Sequence, residues 1–152
     1  MTGRLTGKVA IVTGATSGIG EATARRFVEE GAALLIAGRT VDKGEALARE
    51  LGPNVVFRAT DVMREADIAA LVDSAMSRFG RLDCMFNNAG AAWPSMLDTV
   101  TEQEFGDTMK LLVGSVVFGM KHAARVMKPQ GSGSIINNAS VAAHRSGQGG
   151  IL

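Results

Sequence analysis

Apolar and polar positions fall into two alternating patterns along the chain. Five short runs are almost continuously apolar and rich in valine, isoleucine and leucine. Such runs are typical of strands that are buried on both faces of a sheet. The sequence therefore predicts strands at residues 8–13, 33–37, 55–59, 82–87 and 134–138.

Between these runs, apolar residues recur every three or four positions, which predicts helices at residues 18–30, 42–51, 65–79 and 101–127. Gly31 and Gly80 stand where glycine commonly ends a helix. Asp42 with Glu45, and Thr101 with Glu104, have the spacing of a capping box. Pro129, Gly131 and Gly133 are expected to end the longest helix after about Met127.

Strands that alternate with helices predict βαβ units and a parallel sheet covered on both faces. The expected fold is α/β and Rossmann-type, a doubly wound sheet in three layers with strand order 3-2-1-4-5. Its length, 152 residues, suits one domain over residues 1–152.

Composition narrows the class of protein further. The chain is 46% hydrophobic and 20% charged, with a formal net charge of +1, so no overall field favours nucleic acid or anionic lipid. No apolar run is long enough to span a bilayer, and residues 1–8 lack a secretory pattern. The single cysteine, Cys84, lies in an apolar run and is interpreted as a buried, inert thiol. These features predict a cytoplasmic protein without membrane or nucleic-acid partners.

A glycine-rich turn follows the first predicted strand and leads directly into the first helix. A helix start presents unpaired N–H groups and partial positive charge, which suit a pyrophosphate. Gly14 permits a tight exit from the strand, Gly18 lets the backbone approach the phosphates, and Gly20 lets the helix pack on the sheet. Thr16 and Ser17 add hydroxyl groups to this expected cofactor site. No Gly-Lys-Ser/Thr sequence follows, which excludes a P-loop.

The end of the second strand bears on which cofactor this turn would bind. An NAD site usually has a carboxylate about 20 residues beyond the glycines, where it binds the ribose 2′-hydroxyl. Gly38 and Arg39 stand at that point, and an arginine can pair with a 2′-phosphate. The sequence therefore favours NADP, with NAD as the alternative, and a solvated surface arginine is the competing interpretation of Arg39.

Several separate motifs resemble those of the short-chain dehydrogenase/reductase family. The Thr-Gly-x-x-x-Gly-x-Gly turn at residues 13–20 is similar to its cofactor turn, and the Asn-Asn-Ala-Gly run at 87–90 to its motif after the fourth strand. The resemblance implies that a nicotinamide cofactor contacts Ile19 of the turn, Asp61, Val62, Asn88, Ala89 and Gly90. Residues 133–140 resemble the strand that leads to the family's active-site serine, here Ser140, which would orient a substrate oxygen. Asn87 and Asp83 are interpreted as structural.

Two features depart from the family pattern. The catalytic tyrosine would fall at position 153, one beyond Leu152, so we expect a chain truncated before that tyrosine and before the C-terminal strands of the family's sheet. In the long helix, Leu112 stands where the family places an asparagine of its proton relay. His144 and His122 are disfavoured as substitutes for the tyrosine because the sequence shows no partner that would orient them.

The resemblance implies an NAD(P)-dependent oxidoreductase that transfers a hydride between nicotinamide and a small-molecule carbonyl or secondary alcohol. Two alternatives remain: an inactive dinucleotide-binding module, and a structural subunit that oligomerises. The long helix at residues 101–127 has more than one apolar face, which predicts a homo-oligomer, a dimer or tetramer, through that helix.

Overall fold

Residues 3–92 and 96–141 are described by a computed structural model, in which five parallel strands form one sheet with helices on both faces. The strands are β1 (Val9–Thr13), β2 (Ala33–Gly38), β3 (Val55–Ala59), β4 (Cys84–Asn87) and β5 (Ser134–Asn137). The helices are α1 (Gly18–Glu29), α2 (Val41–Leu51), α3 (Glu65–Phe79), α4 (Glu102–Met109) and α5 (Ser115–Gln130). The strand order is β3-β2-β1-β4-β5, so the predicted fold class and strand order are confirmed.

Two apolar cores lie on opposite faces of the sheet because successive residues of a strand point to opposite sides. Val12 and Ile36 belong to the core that includes Ala24 of α1 and Leu47 of α2. Ile11 belongs to the other core, which is completed by α3 and α5 through Leu71, Val72, Ala123 and Met127. The sheet thus lies between two layers of helices. In folds of this kind, ligands bind at the edge formed by the carboxyl ends of the strands.

One predicted capping box forms and the other does not. Thr101 Oγ1 accepts a hydrogen bond from the Glu104 amide at 3.2 Å, and Glu104 Oε2 accepts one from the Thr101 amide at 2.8 Å. The box at Asp42 is wrong because α2 begins at Val41 with Thr40 as its N-cap residue. Asp42 therefore lies inside the first turn, where a carboxylate interacts favourably with the helix dipole.

The predicted helix at residues 101–127 is one structure with an interruption. Residues Lys110–Gly114 form a π-helical turn between α4 and α5. The amide of Ser115 bonds to the carbonyl of Lys110, and the Ser115 hydroxyl donates to the Leu111 carbonyl, so the wider turn leaves that carbonyl paired. Pro129 does not end the helix, since α5 continues to Gln130, whereas Gly131 does end it, with a φ of 73° in the left-handed region. The Gln130 side chain holds this last turn through hydrogen bonds with both backbone groups of Leu82, each at 3.1 Å.

Within the described part of the chain, no helix is both long enough and apolar enough to cross a membrane.

Candidate cofactor-binding site

The glycine turn joins β1 to α1 through a backbone path that needs glycine. Gly14 and Gly18 have φ values of 65° and 54°, in the left-handed region that other residues rarely adopt. A Cβ atom on Gly20 would lie 2.2 Å from the carbonyl oxygen of Gly14, so the turn and the helix start are in direct backbone contact. A Cβ atom on Gly14 would lie 2.9 Å from Cα of Ala89, which brings the loop after β4 against the turn.

The outer side of this turn is open to a ligand. Ser17, Gly18 and Ile19 are exposed, and Ile19 retains 63% of its accessible surface. A Cβ atom on Gly18 would meet no atom within 4 Å, which leaves a cradle in front of the backbone. Ser17 is the N-cap residue of α1, and its side chain makes no capping hydrogen bond. The start of α1 therefore has no side-chain cap and an open face, which are features of a helix N-terminus that binds an anion.

The end of β2 lies beside the same turn. A Cβ atom on Gly38 would lie 2.8 Å from Cγ2 of Thr16, so the Thr16 side chain occupies the space where an acidic side chain at position 38 would begin. Arg39 is exposed, and among residues 3–92 and 96–141 it makes no ion pair. A cationic side chain is therefore available where a ribose substituent would be expected.

Asp61 and Val62 follow β3 at the same edge of the sheet. Asp61 Oδ1 accepts a hydrogen bond from the Met63 amide at 3.1 Å, and the Asp61 amide donates to Asp67 Oδ2 at 3.0 Å. These bonds fix the Asp61 carboxylate in a local turn while the residue stays partly exposed. Val62 is buried, with 8% of its surface accessible.

The Asn88–Gly90 segment is tied to the end of β1 by the buried hydroxyl of Thr13. Thr13 Oγ1 accepts hydrogen bonds from the amides of Asn88 and Ala89, at 2.9 Å and 3.1 Å. The Asn88 side chain donates to the Thr13 carbonyl at 3.0 Å and contacts the glycine turn. Sequence reasoning missed Thr13 as an organising residue; the signal was a polar side chain at the end of an otherwise apolar strand.

Asn87 is buried and structural, as its sequence context suggested. Its Nδ2 donates to Asn137 Oδ1 of β5 at 2.8 Å, and the two residues are directly paired in the sheet. Gly119 of α5 makes room for this amide, because a Cβ atom there would lie 2.0 Å from Asn87 Oδ1. Asp83 is also structural, since it accepts from the Val9 amide at 3.0 Å and from Arg81.

Ser140 lies three residues beyond the end of β5 and is exposed. Leu112 lies in the π-helical turn, and its Cδ2 would be 3.3 Å from a Cβ atom on Gly90. The structure therefore brings the relay position next to the predicted cofactor loop, but with an apolar side chain. His144, which the sequence analysis disfavours as a substitute for the tyrosine, lies outside the described residues.

A polar cluster that the sequence did not reveal joins α3 to α5. Glu65 Oε1 lies 2.6 Å from Lys121 Nζ and 3.1 Å from His122 Nε2. The hydrogen bond from Lys121, with that of His122, holds the pKa of Glu65 below its usual value. His122 thus has a partner after all, within a helix–helix contact. Cys84 is partly buried rather than fully buried as expected, and its burial raises the pKa of its thiol, which agrees with an unreactive cysteine.

Comparison with known proteins gives the family. The family model described as short chain dehydrogenase matches residues 8–152. The chain is 44% identical to momilactone A synthase of Oryza sativa subsp. japonica over 95% of its own length and 54% of that protein, and 44% identical to tropinone reductase-like 1 of Erythroxylum coca over 97% and 56%. It is 42% identical to the mitochondrial borneol dehydrogenase of Lavandula x intermedia, over 91% of this chain and 54% of that protein.

A solved structure agrees with these sequence matches. A crystal structure described as a short-chain dehydrogenase/reductase from Burkholderia xenovorans superposes with a TM-score of 0.90 and 35% identity, covering 97% of this chain and 62% of that one. The fold and the glycine turn define a dinucleotide-type α/β protein. The chain belongs to the short-chain dehydrogenase/reductase family, whose members are NAD(P)-dependent oxidoreductases, and it spans about half the length of the curated relatives it matches.

Proposed function

We propose that residues 1–152 form the NADP(H)-binding domain of an oxidoreductase that acts on a small-molecule carbonyl or secondary alcohol. The observation that carries this proposal is the glycine turn, whose exposed backbone cradle lies at the start of α1. The proposed cofactor-binding residues are Gly14, Thr16, Ser17, Gly18, Ile19, Gly20, Arg39, Asp61, Val62, Asn88, Ala89 and Gly90. Relatives named as a reductase and a dehydrogenase support the reaction type.

Each part of the proposed site has a distinct task. The turn and the α1 N-terminus would bind the pyrophosphate, and Asp61 with Val62 would border the adenine. The nicotinamide, when bound, supplies or accepts the hydride. Ser140 would donate a hydrogen bond to the substrate oxygen and so orient it. Because the chain covers about half of its relatives, the complete reaction is proposed for the whole protein.

The preference for NADP rests on the end of β2. An acidic side chain at position 38, which would bind a free 2′-hydroxyl, would collide with the Thr16 side chain unless Thr16 moved. The negative charge of such a side chain would also repel a 2′-phosphate. Arg39 offers the opposite charge in an exposed position. A guanidinium can pair with two phosphate oxygens at once, which favours the phosphorylated cofactor.

One observation favours a second function, dinucleotide binding without turnover. Leu112 cannot form hydrogen bonds, and it lies against the Gly90 loop where the family's relay asparagine would be. A protein with this substitution would bind the cofactor through the same turn yet transfer protons poorly. Turnover of the whole protein with a panel of ketones and alcohols separates the two functions: NADPH oxidation supports the enzyme, and its absence with persistent binding supports the binding module.

We also propose that the chain forms a homo-oligomer through its long helix. Apolar side chains of α4, the π-helical turn and α5 are exposed on one stretch of this helix: Phe105, Met109, Leu112, Val113 and Val117. An exposed apolar surface of this kind is typical of an interface.

The test of the cofactor assignment compares NADPH and NADH binding to Arg39→Ala and to the wild-type chain. Removal of the guanidinium should weaken NADPH binding by about 10- to 100-fold, since hydrogen bonds to charged groups contribute roughly 1.5–3 kcal/mol. NADH binding should change by less than about twofold. Arg49→Ala, at an exposed arginine near the end of α2, is the matched control and should leave both affinities unchanged. Equal losses for the two cofactors would contradict the NADP preference.

A further inference from the structure

The ends of three neighbouring strands, β1, β4 and β5, are connected by one chain of side-chain hydrogen bonds. Asn138, the residue after β5, donates from Nδ2 to Asn88 Oδ1 at 3.0 Å. Asn88 in turn donates from its own Nδ2 to the carbonyl oxygen of Thr13 at 3.0 Å. The Thr13 carbonyl can only accept, so the Asn88 amide group must present its oxygen toward Asn138. Asn138 is therefore the donor of this link.

The same Asn88 amide is packed against the glycine turn. Its Nδ2 would lie 2.7 Å from a Cβ atom on Gly20 and 3.2 Å from one on Gly14. A shift of the turn on binding a pyrophosphate would therefore be transmitted to Asn88, and through its oxygen to Asn138. Two residues after Asn138 comes Ser140, which the proposed function assigns to the substrate.

A second pair of amide side chains keeps β5 in register, so loss of the Asn138 side chain would not act by shifting this strand. On the opposite face of the sheet, Asn87 bonds to Asn137 at 2.8 Å, and the backbone amide of Asn138 bonds to the Asn87 carbonyl at 2.9 Å. These bonds keep β4 and β5 in register whether or not Asn138 keeps its side chain. The Asn138 side chain is therefore not needed to hold β5 in register. Its hydrogen bond to Asn88 instead sets the position of the residues that follow β5.

We infer that Asn138 is a positioning residue that couples occupancy of the glycine turn to the placement of the Ser140 segment. This inference rests on the proposed function, since it needs a dinucleotide in the turn. Coupling between two sites is reciprocal. If the bound cofactor fixes the position of the Ser140 segment, then loss of the Asn138–Asn88 hydrogen bond must lower the affinity for the cofactor.

The variant Asn138→Asp keeps the shape of the side chain and removes its donor. At pH 7.5 an ionised carboxylate would face the Asn88 oxygen, and binding of NADP⁺, measured by calorimetry with the 152-residue chain, should weaken by about 5- to 10-fold, the low end of a coupling between two sites. A residue that only stabilises the fold would leave this affinity unchanged.

Asn54→Asp, at an exposed asparagine before β3, is the control for an added charge and should match wild type at pH 7.5. Hydrogen exchange supplies a second readout. Binding of 2′,5′-ADP, which has no nicotinamide, should slow exchange at residues 138–141, the Ser140 segment, in wild type and not in Asn138→Asp. If Asn138→Asp does not fold, Asn138→Ala carries the same affinity and exchange comparisons.

The outcomes separate this inference from the proposed function. NADP⁺ binding to wild type with equal affinity for the Asn138 variants overturns the coupling and leaves the proposed function intact. No NADP⁺ binding to wild type overturns both. Exchange at residues 138–141 that slows equally in wild type and in Asn138→Asp also overturns the coupling.

Discussion

The contact between Gly20 and Gly14 makes a quantitative prediction about the glycine turn. In Gly20→Ala the added Cβ atom would lie 2.2 Å from the Gly14 carbonyl oxygen and 2.7 Å from Asn88 Nδ2. The first neighbour is backbone, which cannot rotate away, so the start of α1 must shift. Overpacking of this kind costs about 1–3 kcal/mol, more than the gain of about 1 kcal/mol that alanine brings to a helix. We therefore expect a net loss of unfolding free energy together with weaker NADPH binding.

Gly106→Ala is the matched control because Gly106 also lies within a helix, α4, and an added Cβ atom would meet nothing within 4 Å. That variant should gain about 0.5–1 kcal/mol of unfolding free energy and bind NADPH normally. Urea denaturation followed by circular dichroism gives both free energies by linear extrapolation. If Gly20→Ala were as stable as Gly106→Ala, the close approach between turn and helix would be refuted.

Three further changes test other parts of the structure. Gly119→Ala should displace the Asn87 amide, since the new Cβ atom would lie 2.0 Å from its oxygen, and urea denaturation should show a loss of about 1–3 kcal/mol. Hydrogen bonding from Arg4 lowers the pKa of Glu30 from 4.5 to about 2, so the contribution of Glu30 to stability is present above pH 4.5 and is lost as the pH falls toward 2. The unfolding free energy of Glu30→Gln should therefore fall less steeply over that interval than that of wild type. An unchanged slope would contradict this reasoning. Val117→Glu places a charge on the exposed apolar helix face and should shift sedimentation toward the monomer, whereas an unchanged oligomer would move the interface elsewhere.

The fold could be predicted from the sequence because its signals are local and agree with one another. The apolar run of β1 is buried on both faces, and Gly31 and Gly80 adopt the positive φ values expected just beyond helices. Pattern alone missed the π-helical turn, because it depends on which carbonyl the Ser115 amide and hydroxyl each reach. It also placed the helix end near Met127, three residues too early, because the Gln130 bonds to Leu82 join residues 48 positions apart.

The candidate site could be outlined from the sequence but not assembled. Motif spacing identified the glycine turn and the Asn88–Gly90 segment, and parallel topology brought them to one edge of the sheet. The links between them could not be read from spacing, since Thr13 and Asn138 act through hydrogen bonds across neighbouring strands. The pairing of His122 with Glu65 was hidden for the same reason.

The central claim, that the glycine turn binds a nicotinamide dinucleotide, is tested most directly by nuclear magnetic resonance of the labelled chain during titration with NADP⁺. Saturable shifts of the backbone amides at residues 16–20 and at Arg39, with a common dissociation constant, are the predicted result. Absence of shifts at the turn, or shifts confined to another surface, would contradict the account.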